Sequence, residues 1–134
     1  MLGDHLVFPI LLSTDLAASR AFYHDTLGLD IVREDDERIM FRCGGGSLLT
    51  VSLSTTGTAD TQTQVAWRVP DLEAELADLR ARGVRIEEYD TPDPKTVNGI
   101  ADMGFAWAAW FIDPGRNVLS VIQPKATAAG PQQR

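Results

Sequence analysis

The sequence is poor in the residues that support covalent or histidine-based chemistry. It has one cysteine, Cys43, so no disulfide can form within the chain and nothing indicates an oxidising compartment. It has two histidines, His5 and His24, and neither is placed to serve as the base for a hydroxyl nucleophile. We therefore expect neither a disulfide framework nor a serine-histidine-acid active site.

Long apolar runs and an excess of basic residues are also missing. The apolar runs are short and interrupted, and no basic region leads into an apolar one at the N-terminus, so we expect no membrane span, no secretory signal and a cytoplasmic location. Nineteen acidic residues against 12 basic ones give a net charge of −7, which disfavours nucleic acid and anionic membranes as partners. Such a charge would attract a cationic ligand, although it also simply keeps a protein soluble.

The composition is that of a globular protein. With 134 residues, 44% of them hydrophobic and 23% charged, the chain can bury a core without disulfides. We expect one domain over residues 1–124. Residues 125–134 have little to bury and are expected to form a flexible tail.

An internal repeat organises this domain. Asp15 and Asp71 each follow an apolar run and precede about eleven residues of helical pattern. Gly28 and Gly83 then close these predicted helices. The aspartates are 56 positions apart and the glycines 55, so the chain contains the same strand-helix-strand unit twice.

The repeat predicts an α+β fold of two tandem βαβββ modules, with eight strands and two main helices. Module one spans residues 5–53, a polar linker spans 54–63, and module two spans 64–123. Each helix should cover one face of a four-stranded sheet, and the free faces should form a curled sheet around a cavity. The predicted strands are 7–12, 30–33, 38–42 and 47–52 in module one, and 64–69, 84–88, 106–112 and 117–123 in module two.

The residues at these element boundaries resemble the vicinal oxygen chelate superfamily. The segments that carry the resemblance are Thr14–Tyr23 before Gly28, Val69–Leu72 before Gly83, and Phe111–Pro114 before Asn117. This superfamily contains glyoxalase I, extradiol dioxygenases, fosfomycin-resistance transferases and bleomycin-binding proteins. The resemblance covers residues 7–123 and implies the same duplicated fold.

Enzymes of this superfamily hold a divalent metal with residues from the first and last strand of each module. The resemblance places those positions at Phe8, Thr50, Gln64 and Ser120. A set without imidazole or carboxylate cannot hold a transition metal tightly, so we expect no metal, no cofactor and no catalytic residue. A register slip of one residue would turn other side chains to this face.

The same strand faces are predicted to line the ligand pocket. Trp110 is the candidate for stacking on a ligand, whereas Trp67 and Trp107 are expected in the core. Arg42 and Arg68 either orient an anionic group of the ligand or lie on the surface. The predicted ligand-binding residues are Phe8, Ile10, Arg42, Thr50, Gln64, Ala66, Arg68, Trp110 and Ser120.

Two glycine- or proline-rich segments have alternative interpretations. The irregular segment 90–103 is either a lid over the site or an idle surface loop. The three glycines of 44–46 lack the lysine and hydroxyl of a phosphate-binding loop, so we interpret them as a hairpin turn.

These observations favour a metal-independent protein that binds a small organic ligand, cationic or aromatic, such as one that sequesters an antibiotic or a toxic metabolite. One alternative is a lyase, isomerase or dioxygenase with a displaced metal site or acid-base residues. Another is an interaction domain without a ligand. A homodimer formed through exposed sheet edges is compatible with all three.

Overall fold

The structure is a computed structural model that describes residues 1–58 and 61–125. These residues form two compact units: Met1–Val65 together with Ile112–Leu119, and Ala66–Phe111 together with the chain from Ser120 onward. Residues 59 and 60 of the predicted linker and residues 126–134 of the predicted tail lie outside the described residues.

The first sheet has four strands in the order β1-β4-β3-β2. Strand β1 runs parallel to β4, and the other neighbouring pairs are antiparallel. This arrangement brings the first strand of the module directly beside the last one. The four strands are β1 (Ile10–Ser13), β2 (Asp30–Glu34), β3 (Arg38–Arg42) and β4 (Leu48–Leu53).

The first helix covers one face of this sheet. Helix α1 (Leu16–Arg20) continues as a π-helix over Ala21–Thr26 and contacts β3 and β4. Asp15 caps it, since its Oδ1 accepts a hydrogen bond from Ala18 N at 3.0 Å. The buried side chains beneath it come from every second position of the strands, namely Leu11, Ile39, Phe41, Leu49 and Val51.

The second sheet has five strands in the order β5-β9-β8-β7-β6. Strands β6, β7 and β8 pair in antiparallel fashion. The five strands are β5 (Thr63–Arg68), β6 (Thr96–Val97), β7 (Ile100–Asp102), β8 (Ala106–Ile112) and β9 (Val118–Pro124).

Helix α2 (Leu72–Ala81) is capped in the same way as α1. Asp71 Oδ1 accepts a hydrogen bond from Ala74 N at 3.1 Å, and Gly83 follows the helix with a φ of 89°. The predicted apolar stripe of the helix is buried (Leu72, Leu76 and Leu79). Neither described helix is long and apolar enough to cross a membrane.

The α+β class and the two sheets are confirmed, but the described part of the chain forms nine strands and not eight. The strand predicted over residues 84–88 is wrong. This segment lies beside β8, where Glu87 N donates a hydrogen bond to Trp110 O at 2.8 Å, but it forms no regular strand. The short strand β7 pairs with the preceding part of β8 through Ala101 and Asp102, so two segments share one edge. Strand β1 begins at Ile10, later than the predicted residue 7.

Candidate functional site

The positions that the resemblance assigns to metal ligands hold weak donors or none. Phe8 precedes β1, is 40% exposed and has a hydrocarbon side chain. Thr50 lies in β4, Gln64 in β5 and Ser120 in β9. The Ser120 hydroxyl is engaged within the second unit, because its Oγ donates to Ala109 O at 2.9 Å.

Thr50 lies at the centre of the first sheet. It is opposite Ile10 on β1 and Met40 on β3, and it is only 2% exposed. Its Oγ1 is buried without a hydrogen-bond partner among the described residues. An unpaired buried hydroxyl costs about 1–3 kcal/mol, but a single hydroxyl is a poor ligand for a transition metal.

Gln64 is bonded to the hairpin between β8 and β9. Its Nε2 donates to Asn117 Oδ1 at 3.0 Å, and its Oε1 accepts from Val118 N at 2.9 Å. Asn117 is fully buried, so the Gln64 amide compensates for polar groups that water does not reach. This geometry favours a structural role for Gln64 over the ligand-binding role predicted from sequence.

Asp113 and Asn117 extend this network through the first unit. Asp113 accepts a hydrogen bond from Tyr23 Oη at 2.5 Å and another from Asn117 N at 2.7 Å. Asn117 Nδ2 donates to Leu12 O at 2.9 Å. Burial, reinforced by the negative charge of Asp113, raises the pKa of Tyr23 well above its ordinary value. The hairpin between β8 and β9, whose sequence contributed to the resemblance, therefore has a structural role.

The other predicted residues of the first unit are open to solvent. Ile10 is 57% exposed on β1. Arg42 lies exposed at the end of β3, where it pairs in register with Leu48 and Asp30. Ile10 and Arg42 are thus available for contact with another molecule.

The predicted residues of the second unit differ in their exposure. Ala66 and Arg68 are exposed on β5, whereas Trp67 between them is half-buried and stacks on Phe111 with ring centroids 6.3 Å apart. Trp110 is buried and meets the edge of the Tyr89 ring at 5.6 Å. Little of the Trp110 ring is accessible, so Ala66 and Arg68 are the more open positions.

The second unit contains an open cavity of about 820 Å³ that sequence reasoning missed. Its walls are the first turn of α2, residues of the segment 92–102, Trp107 of β8 and Gln123 of β9. The nine residues predicted to bind a ligand are not among its lining residues. The irregular segment 90–103 was the one feature of the sequence that could have indicated this cavity. Its residue pattern, however, does not indicate that the segment and the start of α2 line the same cavity.

Trp107 faces this cavity, so its predicted core position is wrong. The side chain is 36% exposed, and Lys125 Nζ lies 4.2 Å from the centroid of its ring. This distance is within the range of a cation–π interaction. Gln123 also lines the cavity and holds the start of α2, since its Oε1 accepts a hydrogen bond from Leu72 N at 2.7 Å.

Acidic residues outnumber basic ones in the lining of the cavity. The carboxylates are those of Asp71, Glu73, Asp93 and Asp102. Lys95 also lines the cavity, but its Nζ is bonded to Asp90 at 2.7 Å. Hydrogen bonds from Lys125 Nζ (2.6 Å) and from Gly104 N (2.9 Å) hold the pKa of Asp102 below its ordinary value. The electrostatic environment therefore favours a cation over an anion.

The metal that the resemblance implies does not fit these residues. Within residues 1–58 and 61–125, there is no group of three histidine, cysteine, aspartate or glutamate side chains that could hold a metal ion. His24 Nδ1 is 2.8 Å from Leu29 O at the end of the first helical segment. Gln64 and Ser120 use their polar atoms within the protein, so the four positions offer no ligand set for a transition metal.

Solved structures with this fold include proteins that bind antibiotics. The chain is similar to a bleomycin resistance determinant encoded on the transposon Tn5 (21% identity, 91% of this chain and 99% of that chain covered, TM-score 0.69). It is similar to TnmS3, an antibiotic binding protein from Streptomyces sp. CB03234 (22% identity, 90% and 96% covered, TM-score 0.64). It is also similar to a bleomycin-binding protein complexed with bleomycin (22% identity, 90% and 99% covered, TM-score 0.66).

The sequence itself matches one family. No curated protein gives a significant match to the chain. The profile of the Glyoxalase/Bleomycin resistance protein/Dioxygenase superfamily matches residues 4–121, which is nearly the whole described chain. This protein therefore belongs to the Glyoxalase/Bleomycin resistance protein/Dioxygenase superfamily.

Proposed function

We propose that this protein binds a small organic molecule without a metal and sequesters it, and that it catalyses no reaction. The observation that carries the proposal is the residue set Phe8, Thr50, Gln64 and Ser120 at the positions where enzymes of the superfamily bind their metal. Two of these side chains, Gln64 and Ser120, use their polar atoms for internal hydrogen bonds. An antibiotic or a toxic metabolite is the proposed class of ligand.

The cavity of the second unit is the proposed binding site. Its volume of about 820 Å³ is in the range of pockets that hold drug-sized molecules. Trp107 supplies an accessible aromatic face, and Leu72, Val97 and Ile100 supply apolar surface. The sheet-face residues predicted from sequence, with Trp110 as the stacking group, form the competing location.

Titration followed by tryptophan signals tests both the function and the location. The ligands are a cationic glycopeptide antibiotic and a series of planar drugs, and expression in a sensitive bacterium measures protection. Binding that shifts the indole resonance of Trp107 supports the cavity, and a shift confined to Trp110 places the ligand on the sheet face. Absence of binding, of protection and of any co-purifying small molecule in mass spectra contradicts sequestration.

Metal analysis separates binding from catalysis. Protein purified without chelator is expected to contain no stoichiometric zinc, nickel, manganese or iron, because the superfamily positions lack imidazole and carboxylate groups. A stoichiometric metal that is lost when pocket residues are substituted would instead support an enzyme of the glyoxalase or dioxygenase kind.

We also propose a cytoplasmic homodimer. The N-terminal segment exposes a run of apolar side chains, with Leu6 at 85% and Val7 at 91% exposure, which is unusual for an isolated chain. The single cysteine fits a reducing compartment. Sedimentation equilibrium is expected to give twice the chain mass, and Val7→Asp to shift the protein toward monomer.

A further inference from the structure

Lys125 holds its ammonium group against two residues that line the cavity. Its Nζ lies 4.2 Å from the centroid of the Trp107 ring and 2.6 Å from Asp102 Oδ1. Trp107 and Asp102 both line the cavity. An aromatic face and a carboxylate that meet at one point are the two groups that recognise organic ammonium ions.

This ammonium position is accessible to a competitor. The Lys125 side chain is 28% exposed and the Asp102 side chain 55% exposed, so water already screens the ion pair. Lys125 is anchored by its backbone, whose N donates to Phe105 O at 3.0 Å. Its long side chain can therefore leave the Trp107 face without disturbing the backbone that follows β9.

The remainder of the cavity defines what else the ligand contains. Asp71, Glu73 and Asp93 add three more carboxylates. The lining also contains apolar side chains, including Leu72 and Ile100. A molecule with a cationic amine on an apolar body satisfies both, whereas an anion meets repulsion from four carboxylates.

We infer that the cavity of the second unit binds organic ammonium compounds, and that the ligand's amine displaces Lys125 from Trp107 and Asp102. This inference rests on the proposed ligand-binding function and names its ligand class. Lys125 then acts as an internal competitor that sets a threshold for binding. Small amines without an apolar body gain too little contact to displace it.

The test compares two probes that share a phenylethyl body and differ in the terminal group, the charged 2-phenylethylammonium and the neutral 2-phenylethanol. Binding is measured by calorimetry and by the indole resonance of Trp107, which the Trp107→Phe variant assigns. Lys125→Met removes the competing ammonium but keeps the length of the side chain. Its matched control is Lys95→Met, which removes a positive charge from the lining itself, where Lys95 pairs with Asp90.

We expect Lys125→Met to increase the preference for the ammonium over the alcohol about tenfold, since both Trp107 and Asp102 become available. Lys95→Met changes only the general potential, and its effect should be at most about threefold and should vanish in high salt. Adding Asp102→Asn to Lys125→Met should return the preference to the wild-type value or below it. Circular dichroism verifies that each variant is folded.

Equal effects of Lys125→Met and Lys95→Met would overturn the inference, as would a preference that survives Asp102→Asn in the Lys125→Met background. If the titrations of the proposed function find a ligand while these variants leave its binding unchanged, the inference fails and the proposed function stands. If neither probe binds to any variant, the inference fails, and the drug titrations and mass spectra separately decide the proposed function.

Discussion

Replacing Gln64 with leucine distinguishes the structural role that the hydrogen bonds indicate from the ligand-binding role that the sequence predicts. The substitution removes the donor to Asn117 Oδ1 and the acceptor of Val118 N. Each neutral hydrogen bond contributes about 0.5–1.5 kcal/mol to stability. Because Asn117 is fully buried, its Oδ1 would also lose the partner that compensates for its desolvation.

We therefore expect Gln64→Leu to lower the free energy of unfolding by about 2–4 kcal/mol. Urea unfolding followed by circular dichroism measures this change, with the slope of the transition as a check that unfolding remains two-state. Arg68→Gln on the same strand is the control. Arg68 is exposed, and its substitution should change stability by less than about 0.5 kcal/mol.

The structural interpretation is refuted if Gln64→Leu unfolds within about 0.5 kcal/mol of the wild type and nevertheless loses ligand binding. That result would mean that the Gln64 amide is oriented toward the ligand. Loss of stability with retained binding would remove Gln64 from the ligand-binding set.

Three further predictions concern the same unit and the second helix. Tyr23 has a raised pKa, so above pH about 10 the unfolded chain loses this proton first and stability falls by up to about 1.4 kcal/mol per pH unit; urea unfolding between pH 8 and 11 should show this slope, and Tyr23→Phe should lack it. A Cβ at Gly115 would lie 2.6 Å from Leu12 O, so Gly115→Ala should cost about 1–3 kcal/mol in the same assay, whereas Gly44→Ala, with no atom within 4 Å, should be neutral. Asp71→Ala removes the cap of α2 and should cost about 1 kcal/mol; a thermal midpoint equal to that of the wild type would contradict the capping role.

Local signals in the sequence predicted the helices correctly. Asp15 and Asp71 accept hydrogen bonds from the first turns of α1 and α2, as their positions before apolar periodic segments indicated. Capping depends on residues within one turn, so no tertiary information was needed. Local signals could not decide whether residues 84–88 form a strand. The pairing of this segment depends on long-range contacts, because β7 and the segment 84–88 both bond to β8.

The candidate site was predictable only in part. Strand periodicity correctly separates the face of Trp67 from that of Trp110, but it does not reveal what covers each face. Trp107 remains exposed because it lines an open cavity, which residues of the segment 92–102 also line. The polar partners of Gln64 lie more than fifty positions away in the sequence, at Asn117 and Val118, and no local sequence pattern predicts these hydrogen bonds.

The hydrogen bonds of Asn117 have a consequence for how the chain becomes folded. This one side chain binds Leu12 O, Gln64 and Asp113, and Asp113 in turn binds Tyr23. The first unit therefore requires residues from both copies of the repeat. During synthesis these partners of Tyr23 and Leu12 are added 90 and 105 residues later, and contacts of such long range slow folding. A fragment ending in the linker would leave Tyr23 and Leu12 without these partners, so the first half, although recognisable as a copy, depends on the second.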